Sequence, residues 1–355
     1  MKVSEKQGER GAAGATMYDV ARVAGVSAMT VSRVINNNAN VADATRAKVL
    51  AVIDSLNYQV NLAARAARTG TSCVGLLYSN PSAAFLSSFV VGAMEQCSKS
   101  GAQLILEHCP DSRSQRSAID RLIANGADGI LVPPPLCDSL SALKHLDQIG
   151  MPTVAIATGK PSARMSAVRI NDYEAALTMT RYLLSLGHTD IGFIKGDPKH
   201  TPAQLRYKAF VDAMAIAGLE VPPSRVTQGM FTYRSGLEAA RELLGKTRRP
   251  TAIFASNDDM AATVVAVAHG MQLEVPRDLS VCGFDDTPVA TTVWPELTTI
   301  HQPIGDMARA AVELVLDLMR RRRADEAKSV EHKLMPYTLI RRESCAGPAP
   351  ARRSR

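Results

Sequence analysis

From Cys73 onward the chain alternates short apolar runs with longer stretches of helical spacing. CVGLLY (73–78), QLILE (103–107), GILVP (129–133) and TVAIA (153–157) are β-type runs. The segments between them repeat their apolar positions every three or four residues, so the alternation predicts a parallel α/β sheet. The rhythm restarts after Asn171 and Asp172: a helix to Leu186, a Gly-His turn, IGFIK (191–195), a helix through Arg206 and Phe210, another over 233–244, TAIFA (251–255), a helix over 258–269, and LSVCGF (279–284). Two similar α/β halves are implied. Ligands of such open sheets sit beyond the carboxyl ends of the strands, and two facing halves leave a cleft between them. The helix over 304–320 puts Met307, Ala311, Leu314, Val315 and Leu318 on one face, a stripe read as core of the first half or as a dimer surface.

Ahead of these halves the pattern is different. Thr16 and Asp19 stand in the relation of a capping box, predicting a helix from Met17 that Gly25 ends. Val20, Val23 and Ala24 are its expected apolar face. After the turn, Ser27 can cap a second helix through Val34, and two short helices about a glycine turn form a helix-turn-helix. In that motif the second helix enters the major groove. Ala28, Met29 and Arg33 become candidate readers: Arg33 can fork onto guanine O6 and N7, and the other two can meet a thymine methyl. Ser and Thr hydroxyls can hold phosphates. Val49, Ile53 and Leu56 fall at helical spacing and are expected to close a three-helix core.

The run from Thr16 to Asn36, continued in register by Val41, Thr45, Arg46, Asn57, Tyr58 and Asn61, resembles the lactose and galactose repressor (LacI-type) regulators. So do LGH at 186–188, the Asn257–Asp258 pair, VPRDLSVCGFDD at 275–286 and PELTTIHQP at 295–303. The resemblance spans nearly all of the chain. It implies a three-helix DNA-binding domain over 16–60 and a hinge helix with linker over 61–72. A sensor and dimerisation domain shaped like the periplasmic sugar-binding proteins follows over 73–343, with one subdomain over 73–171 and 302–332 and the other over 172–300 and 333–343. Its three chain crossings fall near Asn171, Thr299 to Gln302, and Lys333. Residues 1–15 and 344–355 lack periodicity and are expected to be a disordered lead and tail.

The DNA contacts that the resemblance implies are Thr16, Tyr18, Ser27, Ala28, Met29, Thr30, Ser32, Arg33 and Asn36, with Asn61, Ala64, Arg65, Ala67 and Arg68 from the hinge. Two departures matter. Val60 stands where the family has proline, and Ala67 where it inserts a leucine wedge. A short side chain unstacks base pairs poorly, so weaker operator bending is expected. Ala42 replaces the usual serine cap of the third helix, with Asp43 compensating partly through the helix dipole. For the effector the resemblance points to Asn80, Phe85, Arg206, Phe231, Asn257 and Asp285. These suit a sugar: amide, carboxylate and guanidinium groups for hydroxyls and an aromatic face for the ring. Each residue also has a structural alternative. Phe85 and Phe231 suit a core, Arg206 a surface helix, Asn257 a helix cap and Asp285 a turn.

Composition sharpens this picture. The 355 residues are 46% hydrophobic and 21% charged, ordinary for a globular chain of two or three domains. The formal charge of +7 suits a polyanion. In the opening module Arg22, Arg33, Arg46, Lys48, Arg65 and Arg68 outnumber Asp19, Asp43 and Asp54, which suits phosphate contacts. Arg320 to Arg323 instead reads as a dipole-favouring helix end. No apolar run is long enough for a bilayer and residues 1–15 lack a signal core, so a cytoplasmic protein with no membrane partner is expected. The six cysteines, Cys73, Cys97, Cys109, Cys137, Cys282 and Cys345, show no metal or redox spacing; reduced thiols, no zinc and no cofactor are expected. Two rival function classes share parts of this pattern. Asp258–Asp259, Asp285–Asp286, His188 and His301 raise the possibility of acid–base catalysis, but no nucleophile-elbow, P-loop, zinc-protease or dinucleotide pattern accompanies them. A transport receptor would share the cleft but would need an export signal and would lack the opening motif. The expected protein is therefore a homodimeric regulator, not an enzyme, that engages a pseudo-palindromic operator and answers to a carbohydrate-like effector, with repression the expected sign and effector identity open.

Overall fold

The computed structural model describes residues 16–35, 41–56, 71–79, 82–327 and 329–348. The chain divides into two units, Met1–Arg65 and Ala66–Arg355.

In the first unit, α1 (Met17–Ala24), α2 (Ala28–Ile35) and α3 (Asp43–Ser55) enclose a small core of Val20, Ala21, Ala24, Val31, Val34 and Val49. The capping box is present at α1: Asp19 N–H donates to Thr16 Oγ1 at 3.2 Å and Thr16 N–H to Asp19 Oδ2 at 3.0 Å. Gly25 ends the helix at φ 63°, a left-handed conformation that a Cβ would strain. Ser27 Oγ accepts the Thr30 N–H and starts α2, whereas Ala42 leaves α3 without a side-chain cap. The expected face of α1 is corrected by one residue: Val23 is exposed and Ala21 is buried. At about 100° per residue, positions 20, 21 and 24 share an arc that faces the other two helices, and position 23 falls outside it.

The second unit has two sheets. β1 (Cys73–Tyr78), β2 (Gln103–His108), β3 (Gly129–Val132), β4 (Thr153–Ile156) and β5 (Ser166–Arg169) form the first with β11 (His332–Leu334), all parallel, in the order 11-5-4-3-1-2. Its faces carry α4 (Ala83–Lys99), α5 (Gln115–Ala124), α6 (Leu140–Gln148) and α12 (Ile304–Arg323). The second sheet repeats the winding with β6 (Ile191–Lys195), β7 (Val226–Gln228), β8 (Ala252–Ala255) and β9 (Ser280–Cys282), parallel in the order 7-6-8-9. It packs α7 (Asp172–Ser185), α8 (Thr201–Ile216), α9 (Tyr233–Leu244), α10 (Asp258–Gly270) and the short α11 (Val289–Thr292). A two-stranded antiparallel ribbon, β10 (Thr299–His301) with β12 (Thr338–Ile340), lies where the chain passes between the halves.

The stripe on α12 is core: Met307, Ala311, Leu314 and Val315 are buried, with Leu318 partly so. Two boundaries differ from expectation. β11 keeps Lys333 and Leu334 in the first sheet, so the last crossing falls at 335–337. Residues 344–348 are ordered rather than a loose tail. Ser344 is fully buried, its hydroxyl accepts the Thr298 N–H at 2.8 Å, and His188 Nε2 lies 2.8 Å from the Ala346 carbonyl, to which it must donate. The polar Pro-Ala composition of the segment hid these pairings.

Candidate functional site

Each α/β half ends its strands toward the other, and the loops that leave those ends enclose a cavity of about 40 Å³. Pro134 and Pro135 follow β3, Ala157 follows β4, Asp197 follows β6, Phe231 follows β7, Asn257 follows β8 and Asp285 follows β9. Ser82, Phe85, His200, Arg206 and Gln302 complete the lining. All five described effector candidates, Phe85, Arg206, Phe231, Asn257 and Asp285, therefore converge; Asn80 lies outside the described residues.

Arg206 is the fixed centre. It is 4% exposed, yet its guanidinium donates from Nε to Asp172 Oδ1 at 2.9 Å and from Nη1 to the Ser256 carbonyl at 2.6 Å, with Asp285 Oδ1 at 3.6 Å. Its flat face lies 3.5 Å from the centre of the Phe284 ring, a cation–π contact. The surface-charge alternative is thereby excluded. Asp172, its main partner, opens α7 at the first crossing, and Gln302, at the second, donates from Nε2 to Asp285 Oδ1 at 2.6 Å. Two hinge residues thus reach the same guanidinium–carboxylate cluster.

The electrostatics follow from burying two carboxylates around one arginine. Burial pushes Asp285 up to about 7, against the opposing pull of Arg206 and the Gln302 hydrogen bond. Burial also raises Asp172, again against Arg206. His200 is driven down to about 3, first by burial and then by the Arg206 charge, and is neutral at physiological pH. Among the described residues, neither of its ring nitrogens has a hydrogen-bond partner, nor has Gln302 Oε1. Unpaired buried polar groups are costly, so these atoms mark where a ligand's groups would be welcome.

Local backbone geometry is unusual at the same place. Ala157, Phe231 and Asp285 have φ of 52°, 59° and 107°, and non-glycine residues in this region carry strain that collects at ligand sites. The Phe231 ring lies where a Cβ at position 196 would stand, 2.0 Å from its Cζ, so only Gly196 lets the ring take this place. Asn257 serves both of its roles: Oδ1 caps α10 by accepting the Met260 N–H, while Nδ2 donates to the Phe231 carbonyl. Sequence reasoning missed Ser82, Pro134, Pro135, Ala157, Asp197, His200 and Gln302. Five of them follow a strand end or sit at a crossing, a topological signal legible only once the strand order is known.

Among the described residues, hydrogen bonds join the halves at the rim in three places, one of them from Gly159 N–H to Thr201 Oγ1 at 2.7 Å. Ser82 Oγ donates to Asp259 Oδ2 at 3.2 Å. Asp138, just beyond β3, accepts from Thr201 N at 2.7 Å and Thr201 Oγ1 at 2.8 Å, acting as the cap that His200 does not supply to α8. The catalytic alternatives are occupied structurally: Asp258 accepts from Thr299 Oγ1 and from Thr287, and His301 pairs with Asp286.

On the first unit, Thr16, Tyr18, Ser27, Met29 and Arg33 are exposed and Ala28, Thr30 and Ser32 half-buried, so α2 presents its predicted readers to solvent. Asn36, Asn61, Ala64, Arg65, Ala67 and Arg68 lie outside the described residues. Among those described, no helix is long and apolar enough to cross a membrane.

Residues 16–61 match the model of the bacterial regulatory proteins of the lacI family, and residues 180–345 match a periplasmic binding protein-like domain. The HTH-type transcriptional repressor PurR of Escherichia fergusonii is 35% identical over 342 residues, covering 94% of this chain and 98% of that protein. Among solved structures, the transcriptional regulator CelR–cellobiose complex superposes with a TM-score of 0.71 at 29% identity, over 93% of this chain and 99% of the other. The lac repressor dimer bound to operator and the anti-inducer ONPF gives 0.69 at 25%, over 94% and 100%. The chain belongs to the LacI family of bacterial regulatory proteins and is a DNA-binding transcriptional repressor with a ligand-binding sensor domain, not an enzyme.

Proposed function

We propose that this chain acts in the cytoplasm as a homodimer on a pseudo-palindromic operator, and that a small sugar-like molecule held by Asn80, Phe85, Arg206, Phe231, Asn257 and Asp285 sets its operator affinity. The observation that carries this is the convergence of the five described residues on one cavity at the strand ends of both halves. Cellobiose in the CelR structure and ribose in a LacI family regulator from Enterococcus faecium, 25% identical with a TM-score of 0.68, support the ligand class. A cavity of about 40 Å³ has room for roughly three waters, so a pyranose enters only when the halves separate. Arg33, exposed on α2, reads a guanine in this scheme, and the hydroxyls of Thr16, Ser27, Thr30 and Ser32 hold phosphates.

A second reading rests on a different observation. The phenylalanine and proline walls, with the unpaired His200 nitrogens and Gln302 Oε1, also suit a flat nitrogen heterocycle of nucleobase type, which stacks on apolar faces and both donates and accepts at its edge. Selection of bound sequences from random duplex DNA, repeated with mono- and disaccharides, their phosphates and nucleobases, separates the two. A palindrome released or strengthened by a sugar establishes the first reading, and one that answers only to a base establishes the second. No enriched sequence under any condition would overturn operator recognition itself.

A further inference from the structure

Beside the effector cavity, side chains from both halves of the sensor bring together three different metal-ligand types. Cys137 Sγ and an Asp138 carboxylate oxygen come from the turn after β3, and a His200 ring nitrogen from the residue before α8; the three donor atoms lie within 4.8 Å of one another. We propose that Cys137, Asp138 and His200 form a binding site for a borderline divalent cation of the zinc type, bridging the two halves of the sensor domain.

Three observations carry this. First, His200 is 7% exposed and, among the described residues, neither of its ring nitrogens has a hydrogen-bond partner. Satisfied buried polar groups are the rule, and a metal supplies a partner for one nitrogen while the other remains for a ligand in the cavity. Second, Asp138 is held as a ligating carboxylate usually is, by hydrogen bonds from its surroundings. Oδ1 accepts from Thr158 Oγ1 and Thr201 Oγ1, and Oδ2 from Thr201 N, which leaves one of about four lone-pair directions uncommitted. Third, thiolate, imidazole and carboxylate together suit zinc, with a fourth position open to water or to an effector atom. On binding, the Cys137 thiol proton leaves to solvent and the sulfur–metal bond takes its place.

The geometry also says what binding would do. Donors around a tetrahedral zinc stand about 3.3–3.7 Å apart, so a cation held by these three, which lie within 4.8 Å of one another, fixes their mutual spacing. Because His200 belongs to one half and Cys137 and Asp138 to the other, a bound cation ties the two halves together in this closed arrangement. The three residues are distant in sequence, which is why cysteine spacing gave no sign of the site. The proposal stands on this cluster alone and does not depend on the identity of the effector.

The test is titration of Co²⁺, a spectroscopic stand-in for zinc, into the reduced, metal-free full-length protein. The expected result is a thiolate-to-cobalt charge-transfer band in the near ultraviolet that Zn²⁺ displaces. Cys137→Ser should lose the band and Cys73→Ser keep it, while His200→Gln should weaken Co²⁺ binding at least about tenfold. Should Cys137→Ser fold poorly, His200→Gln decides the matter, since it alters a helix-start residue rather than the core. No band in the parent protein, a band that persists in Cys137→Ser, or unchanged affinity in His200→Gln would each overturn the proposal.

Discussion

Asp285 meets opposing influences: burial favours its neutral form, and Arg206 and Gln302 favour the anion. The balance leaves it near 7, against about 3.9 in an unfolded chain. Between those values the folded protein holds a proton that the unfolded chain has released. This group therefore favours folding most below about pH 4, and its contribution falls as pH rises through 7. Asp285→Asn, which cannot ionise, should melt higher than the parent at pH 8 and show about half that advantage at pH 5.5; an equal difference at both values would refute the assignment. An effector that donates hydrogen bonds to the carboxylate should conversely bind more tightly as pH rises from 6 to 8. Arg206→Ala should remove the effector response, and because it leaves Asp172 buried without its cation it should also cost about 3–5 kcal/mol of stability, read by denaturant melts. At the DNA, Arg33→Ala should weaken operator binding by about 1–3 kcal/mol and relax preference at one base position, as a gel-shift titration against single-base variants would show.

Helices show how far local chemistry reaches. Thr16 with Asp19, Gly25, Ser27 and the uncapped Ala42 are all visible in the sequence because a cap bonds to a residue two or three positions away. Ala42→Ser should accordingly stabilise α3 by about 1 kcal/mol, detectable as slower hydrogen exchange of its amides in the full-length chain. The α8 start is different. His200 provides no cap, and the acceptor for the Thr201 N–H comes from Asp138, sixty-three positions earlier and in the other half. No pattern within a window of α8 contains that partner. The cavity residues divide the same way. Arg206, Phe231, Asn257 and Asp285 stood out by resemblance, whereas Gln302, Ser82 and His200 became visible only when the strand order placed their loops at one cavity. Val23 and Ala21 exchanged roles for a further reason: both are apolar, and only the positions of α2 and α3 decide which of two adjacent arcs is covered.

At the scale of the sensor domain, the cavity, the crossings and the rim links form one mechanical unit. Arg206 is bonded to Asp172 at the first crossing, Gln302 at the second is bonded to Asp285, and the rim is joined by Asp138 to Thr201 and Ser82 to Asp259. A ligand that replaces or reinforces any of these bonds has different affinities for open and closed arrangements, which is the condition for shifting their populations. Linkage then requires operator and effector to change each other's affinity by the same factor. Asp138→Asn tests the rim link without changing side-chain shape, because it replaces a charged acceptor at a helix N-terminus by a neutral one. Hydrogen bonds to charged groups contribute about 1.5–3 kcal/mol, so losing part of one should open the cleft and weaken effector binding by roughly tenfold. Small-angle scattering should show a larger radius of gyration without effector and recovery at saturating effector. The operator affinity measured at saturation should then match the parent's, since enough ligand restores the closed population. If effector affinity and radius are both unchanged, closure does not run through Asp138, and the Ser82–Asp259 and Gly159–Thr201 links carry it instead.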